Sequence, residues 1–167
     1  MQKEADSPIR VAMITYDWYP FDVLVRRMST AAQRAGCEIT VICVRGDATE
    51  PAYEVLDGVR VYRLSQRRIV GRSLLATVLS WMSFMVNARR LLNALHRELP
   101  FDVAHAHNMP DFLVFAATGV KRRGVKVILE VQDVTPELMA AKAHGLTRRV
   151  LFWLAALQER ASTAYAD

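Results

Sequence analysis

Residues 9–44 decide the fold, and they read IRVAMITYDWYPFDVLVRRMSTAAQRAGCEITVICV. The apolar run at residues 9–15 is typical of a buried strand, and Asp22 is placed to cap a helix that ends at Gly36. The β-branched run at residues 38–44 predicts a second strand. A strand, a helix and a strand in this order form a βαβ unit with a right-handed crossover, so we predict a parallel sheet. We expect the helix to bury the apolar face formed by Leu24, Met28, Ala31, Ala32 and Ala35.

The alternation of strand and helix patterns continues through the rest of the chain. Further strands are predicted at residues 59–65, 101–106 and 125–131. Further helices are predicted between residues 73 and 98, from Asp111 to near Gly119, and after Gly145. We therefore predict one doubly wound α/β domain over residues 1–167, with a parallel sheet and helices on both faces. The last helical pattern reaches Asp167 without a capping signal, so we expect the protein to continue beyond it.

Composition limits the classes of function. The net charge of +5 suits anionic partners such as phosphates or lipid headgroups, although a basic surface that serves only solubility explains it equally well. No nucleic-acid-binding module is recognisable, so no nucleic-acid partner is predicted. Cys37 and Cys43 match no zinc or redox spacing and are interpreted as core residues of a reducing compartment. Because the first residues lack the apolar segment of a signal peptide, we expect a cytoplasmic protein.

Three polar segments follow predicted strands and point to a cleft. They are residues 15–22, 105–108 and 130–137. Ligands of doubly wound sheets bind at the carboxyl ends of the strands, where the strand order reverses. The chain contains neither of the glycine-rich loops that cradle a dinucleotide or a nucleoside triphosphate, so a self-sufficient enzyme of those kinds is not predicted.

His105 and His107 are the candidates for chemistry in the second segment. We expect their side chains to point to opposite faces of the sheet, with His105 inside the strand and His107 beyond its end, and therefore predict no metal site. His107 is the better candidate to face the cleft, and a packing role for both histidines is the alternative. In the third segment, Asp133 and Glu137 are spaced to share a helical face, or Asp133 or Thr135 caps that helix.

The motifs YDWYPFD, RAGCEITVICV, FDVAHAHNMPD and GVKVILEVQDVTPEL occur in an order that resembles the N-terminal domain of the GT-B glycosyltransferases of family 4, also called group 1. The resemblance extends over nearly the whole chain. It implies a Rossmann-like domain that binds the acceptor, and a second, nucleotide-sugar-binding domain that is absent from this chain. It also implies a retaining enzyme in which this fragment alone is inactive.

The resemblance also implies roles for individual residues. Gln132 and Asp133 occupy the segment at the reacting centre, where many members have a histidine before the aspartate, and His107 lies near the sugar. The glycine pair that many members use to approach the donor phosphates is missing, and Arg26 and Arg27 are the proposed replacement. The residues expected to line the acceptor and donor cleft are Tyr16, Asp17, Phe21, Asp22, Arg26, Asn108 and Glu137.

The partners implied by the resemblance are a nucleotide-sugar donor and a glycan or lipid-linked acceptor of the cell envelope. Residues 66–86 combine arginines with apolar side chains, so they form either a core helix or a peripheral contact with the inner face of a membrane. No cofactor is predicted, and the lack of an acidic metal-binding motif of the DxD kind fits metal-independent chemistry. The alternative function is a non-catalytic α/β module that binds a ligand or partner through the same loops.

Overall fold

The computed structural model describes residues 7–66, 74–108, 110–131 and 145–167. Its strands are β1 Arg10–Trp18, β2 Glu38–Val44, β3 Tyr53–Leu56, β4 Val59–Leu64, β5 Val103–His107 and β6 Lys126–Glu130. Its helices are α1 Val23–Arg34, α2 Leu74–Glu98, α3 Thr118–Lys121 and α4 Gly145–Tyr165, and a 3-10 segment at Asp111–Ala117 precedes α3. These elements confirm the predicted α/β class.

The six strands form one sheet in the order β3-β4-β2-β1-β5-β6. β1 lies at the centre and pairs in parallel with β2 on one side and with β5 on the other. Parallel pairing continues outward to β4 and to β6. The βαβ unit predicted for residues 9–44 is therefore the middle of the sheet.

One edge of the sheet is antiparallel, which the sequence did not predict. β3 pairs with β4 in a hairpin, and β3 lies before residues 59–65, in a part of the chain for which no strand was predicted. The hairpin closes at Asp57 and Gly58, whose φ angles are 48° and 80°. Positive φ at both loop residues is the geometry that two-residue hairpins favour, because its twist matches that of the strands.

Two apolar cores cover the two faces of the sheet. Even-numbered residues of β1, β2 and β5, such as Ile14, Ile42 and Ala106, pack with α2 and with the segment around α3. Odd-numbered residues, such as Met13 and Val41, pack with α1. The period-2 alternation of strand side chains thus produces one layer of helices on each face.

The buried face of α1 is rotated from the predicted one. Val25 and Ser29 are buried, with Met28 and Ala32 packed beside them. The prediction placed Leu24, Ala31 and Ala35 in that face and did not include Val25. Ser29 is tolerated inside because its hydroxyl bonds to Arg26 O and lies 3.2 Å from Tyr19 Oη.

Helix α2 contributes to the core through Ser80, Phe84, Ala88 and Leu92. This spacing confirms a core role for its described part, while residues 67–73 of the predicted membrane segment lie outside the described residues. Within the described ranges, no helix combines the length and apolarity that crossing a membrane requires.

Candidate functional site

The carboxyl edge of the sheet carries the candidate site. β1 leads to β2 on one side, whereas β5 and β6 extend the sheet on the other, so the strand order reverses between β1 and β5. A crevice outside the strand ends at such a point is the usual ligand position in open α/β sheets. The chain leaves β1, β5 and β6 at this edge through Asp22, Asn108 and Val131.

Asp22 holds the exit from β1 by capping α1, as predicted. Its Oδ1 accepts hydrogen bonds from Leu24 N and Val25 N, each at 3.1 Å. Thr15 Oγ1 donates to Oδ2 at 3.3 Å, which links the cap back to the strand. The carboxylate therefore serves the helix N-terminus and remains partly exposed at the edge of the cleft.

The other residues predicted for this loop lie in different environments. Tyr16 is buried on the α2 face, where its Oη lies 2.7 Å from Ser80 Oγ, so it contributes to the core. Asp17 Oδ1 accepts a hydrogen bond from Trp18 N at 2.8 Å. Phe21 is 73% exposed and is free to contact a ligand. Arg26 is exposed and lines a groove between α1 and the β3–β4 hairpin.

His105, His107 and Glu130 form a compact polar cluster on β5 and β6. The two imidazole rings lie 4.2 Å apart, centroid to centroid. His107 pairs in register with Glu130, and its Nδ1 lies 2.5 Å from Glu130 Oε2. His105 Nε2 is 3.9 Å from the same oxygen. The carboxylate of β6 therefore faces both histidines of β5.

The expectation that the two histidines point to opposite faces is wrong. Both lie within β5, and side chains two residues apart project from the same face of a strand. The expectation that His107 lies beyond the strand is also wrong, because it is the last residue of β5 and is buried. His107 is thus enclosed at the carboxyl edge of the sheet, and Glu130 is the more accessible member of the cluster.

Burial keeps both imidazoles neutral at physiological pH. It lowers the pKa of His105 to about 4, and the neighbouring His107 acts in the same direction. Burial also lowers the pKa of His107 to about 4, although the negative charge of Asp22 acts to raise this pKa. Asp22 at the β1 exit is thus near enough to the end of β5 to act electrostatically on His107.

Asn108 is held in place where the chain leaves β5. Its backbone N–H donates to Glu130 O at 3.1 Å, and its side-chain amide donates to Asp111 Oδ1. Asp111 is fully buried, and its other oxygen accepts a hydrogen bond from Gln158 of α4 at 3.4 Å. Asn108 therefore presents its amide from a fixed position at the edge of the cleft.

Gln132, Asp133 and Glu137 lie outside the described residues. The roles predicted for them, and the choice between a helix cap and a shared face for Asp133, therefore remain predictions. Glu130 and Asp111 were not selected from the sequence as site residues. Glu130 is the first residue of the polar segment 130–137, which is the signal that could have identified it, although its pairing with His107 depends on the register of β5 and β6.

The chain matches a family model described as a glycosyl transferase 4-like domain over residues 22–167. No curated protein matches it. Among solved structures, sucrose-phosphate synthase from Thermosynechococcus elongatus aligns with a TM-score of 0.59 and 12% identity, over 88% of this chain and 40% of that chain.

Two further solved structures align less closely. Trehalose-6-phosphate synthase has a TM-score of 0.47 and 14% identity, over 92% of this chain and 43% of that chain. UGT73P12 from Glycyrrhiza uralensis, solved with glycyrrhetinic acid 3-O-monoglucuronide, has a TM-score of 0.49 and 9% identity, over 83% of this chain and 33% of that chain. The chain thus spans less than half the length of each of these structures.

Proposed function

Because the chain belongs to the glycosyl transferase 4-like domain family, we propose that it is the N-terminal, acceptor-binding domain of a retaining GT-B glycosyltransferase. The enzyme would transfer a sugar from a nucleotide-sugar donor to an envelope, lipid-linked or polysaccharide acceptor. The observation that carries the proposal is the family match, which runs from the cap of α1 through α4 and includes the carboxyl ends of β5 and β6. A second domain, not included in this chain, would bind the nucleotide.

The geometry of the cleft supports a positioning role for this domain. Asn108 offers an amide held by Asp111, and Asp22 offers a partly exposed carboxylate, which are groups that hydrogen-bond sugar hydroxyls. Holding the acceptor in a fixed orientation is a large part of catalysis when two substrates must meet. We propose that stabilisation of the leaving diphosphate comes mainly from the second domain. His107 would support the site from below, through Glu130.

Arg26 and Arg27 line a groove of about 510 Å³ beside α1, together with Arg34. Three guanidinium groups near one cavity favour an anionic ligand. We propose that Arg26 contacts a donor phosphate from this groove. Replacement of Arg26 by alanine in the complete enzyme should weaken donor binding, whereas Arg160→Ala, at an exposed position of α4, should not. Equal donor affinity in the parent and Arg26→Ala proteins would contradict the proposed contact between Arg26 and a donor phosphate.

The exposed face of α2 supports a peripheral membrane contact. Leu75 and Leu79 are 69% and 59% exposed, and Met82 and Val86 continue the same stripe opposite the buried Phe84. Further along the helix, Arg89, Arg90 and Arg97 border a cavity that also includes Val86. An apolar stripe next to arginines suits a surface of anionic lipids, because the arginines attract the headgroups and the apolar side chains enter the interface.

Vesicle co-sedimentation tests this contact. The protein should sediment with vesicles that contain phosphatidylglycerol and stay in solution with pure phosphatidylcholine. A Leu75→Ser/Leu79→Ser variant should lose this binding, whereas Val55→Ser, which changes an exposed apolar residue on β3, should keep it. Two results would argue against the membrane contact. One is sedimentation that does not depend on anionic lipid, and the other is equal sedimentation of the two variants.

Sugar transfer is tested with the complete gene product and with the present chain side by side. Each is incubated with a panel of nucleotide-sugars and with envelope extracts, and the release of nucleoside diphosphate is measured. We expect release and transfer by the complete product alone, and NMR of the product should show the anomeric configuration of the donor. Transfer by this chain alone would contradict the two-domain assignment. A complete product that releases nothing would favour the non-catalytic binding module.

A further inference from the structure

We propose that His105, His107 and Glu130 form a binding site for a divalent transition metal ion of the zinc class. One ligating atom of each residue lies within 4.8 Å of those of the other two. The cluster rests on two adjacent strands whose register is fixed, with His105 opposite Ile128 and His107 opposite Glu130. The proposal is independent of sugar transfer, because it depends only on these three side chains.

The chemistry of the three groups selects the metal. Two imidazoles and one carboxylate are a ligand set that Zn²⁺ accepts, whereas Mg²⁺ and Ca²⁺ prefer oxygen ligands throughout. Both histidines are neutral at physiological pH, and the neutral form is the one that coordinates. Three protein ligands leave one tetrahedral position for water or for an oxygen of a bound ligand.

The distances are close to those of a coordinated ion. Metal–ligand bonds of about 2.0–2.2 Å in a tetrahedral site separate the ligand atoms by roughly 3.3 Å. Glu130 Oε2 lies 2.5 Å from His107 Nδ1 and 3.9 Å from His105 Nε2, so one separation is shorter than this spacing and the other is longer. The Glu130 side chain is partly exposed, and a shift of its Oε2 away from His107 Nδ1 and toward His105 Nε2 would bring both separations nearer to this spacing.

Unsatisfied nitrogens provide an independent reason for a ligand. Within the described part of the chain, Nε2 of His105 and Nε2 of His107 are buried and have no hydrogen-bond partner. Their side chains are only 9% and 0% exposed. Leaving a buried polar atom without a partner is unfavourable, so two such atoms in adjacent rings indicate that something binds there. Coordination of a metal by His105 Nε2 would satisfy that atom.

Metal titration of chelator-treated protein tests the site. Co²⁺ binding is followed by its visible absorption, and Zn²⁺ affinity is measured in competition with a chromophoric chelator. We expect one equivalent to bind, and we expect the variants Glu130→Gln and His105→Ala each to weaken Zn²⁺ binding at least tenfold. The control is the double variant His96→Gln/His144→Gln, which removes the two other histidines of the chain and should bind as the parent does.

Folding is checked separately because the cluster is largely buried. Glu130→Gln preserves the shape of a partly exposed side chain, so it is the decisive variant if His105→Ala fails to fold. In thermal unfolding, Zn²⁺ should raise the melting temperature of the parent and of the His96→Gln/His144→Gln control, and not that of Glu130→Gln. The proposal would be overturned if the parent does not bind Zn²⁺ or if Glu130→Gln binds it with unchanged affinity. Loss of Zn²⁺ binding in the control would also overturn it.

Discussion

Arg63 Nη1 lies 2.5 Å from Glu54 Oε1, and the Arg63 side chain is only 2% exposed. The two residues belong to β4 and β3. Arg63 Nη2 also donates to Tyr19 O at 3.1 Å, in the loop that leaves β1. A single buried guanidinium therefore connects the edge hairpin to the loop that enters the candidate cleft.

Replacing Arg63 by methionine should destabilise the protein. The change keeps a long apolar stem but leaves Glu54 and Tyr19 O without their partner. Removing one member of a buried ion pair is strongly destabilising, and because Glu54 is partly exposed we expect a loss of about 2–4 kcal/mol in the free energy of unfolding. Urea denaturation provides the measurement.

Arg60→Met is the matched control for this change. Arg60 belongs to the same strand and pairs with Glu38 at 3.2 Å, but its side chain is 33% exposed. Exposed ion pairs contribute about 0–1 kcal/mol, so this variant should stay close to the parent. An equal loss of unfolding free energy in the two variants would show that the buried contacts of Arg63 stabilise the protein no more than the exposed ion pair of Arg60 does.

The centre of the fold could be predicted because its strands are buried on both faces. Five of the seven residues at 38–44 are β-branched, and all but the first of the seven are buried. Such runs, with a capped helix between two of them, leave few alternatives to a parallel βαβ unit. The caps were equally predictable, since Asp22 and Gly36 act through local geometry that the sequence encodes directly.

The edge of the sheet and the candidate site depend on contacts between distant residues. β3 has a half-exposed pattern, so its strand character comes from pairing with β4 rather than from an apolar run. In β4 the buried side chain that follows Val59 and Val61 is Arg63, a charged residue that an apolar pattern does not identify. The contact between His107 and Glu130 requires the register of two strands, which no local pattern specifies.

Acidification should destabilise the metal-free protein through His105 and His107. Both have a folded-state pKa of about 4, below the usual value of 6.5 that applies in the unfolded chain. The unfolded state therefore binds more protons below pH 6.5, and the stability present above that pH is lost as the pH falls through 4. The free energy of unfolding, measured in urea with a chelator present, should decrease across this window.

His105→Gln isolates one of these two contributions, because glutamine does not titrate. The decrease between neutral pH and pH 4 should be smaller in this variant than in the parent. A pH dependence identical to that of the parent would mean that His105 takes up protons equally well in the folded and unfolded states.

The two cysteines should differ in reactivity. Burial raises the pKa of Cys43 to about 12 and encloses its sulfur, whereas Cys37 is partly exposed. Since the thiolate is the reactive species, iodoacetamide should modify Cys37 in the native protein and Cys43 only after unfolding in urea. Peptide mass spectrometry distinguishes the two sites, and a Cys37→Ser variant should remain unmodified while folded. Early labelling of Cys43 would indicate that β2 is accessible.

Asp22 has two features that substitution can separate, its hydrogen bonds to the N-terminus of α1 and its charge. Asp22→Ala removes both and should cost about 1 kcal/mol of unfolding free energy, the usual loss for a helix cap. Asp22→Asn keeps an oxygen acceptor for Leu24 N and Val25 N, so its stability in urea should stay near that of the parent. If Asp22→Asn is instead as unstable as Asp22→Ala, the negative charge near the helix N-terminus, rather than the hydrogen bonds, provides the stabilisation.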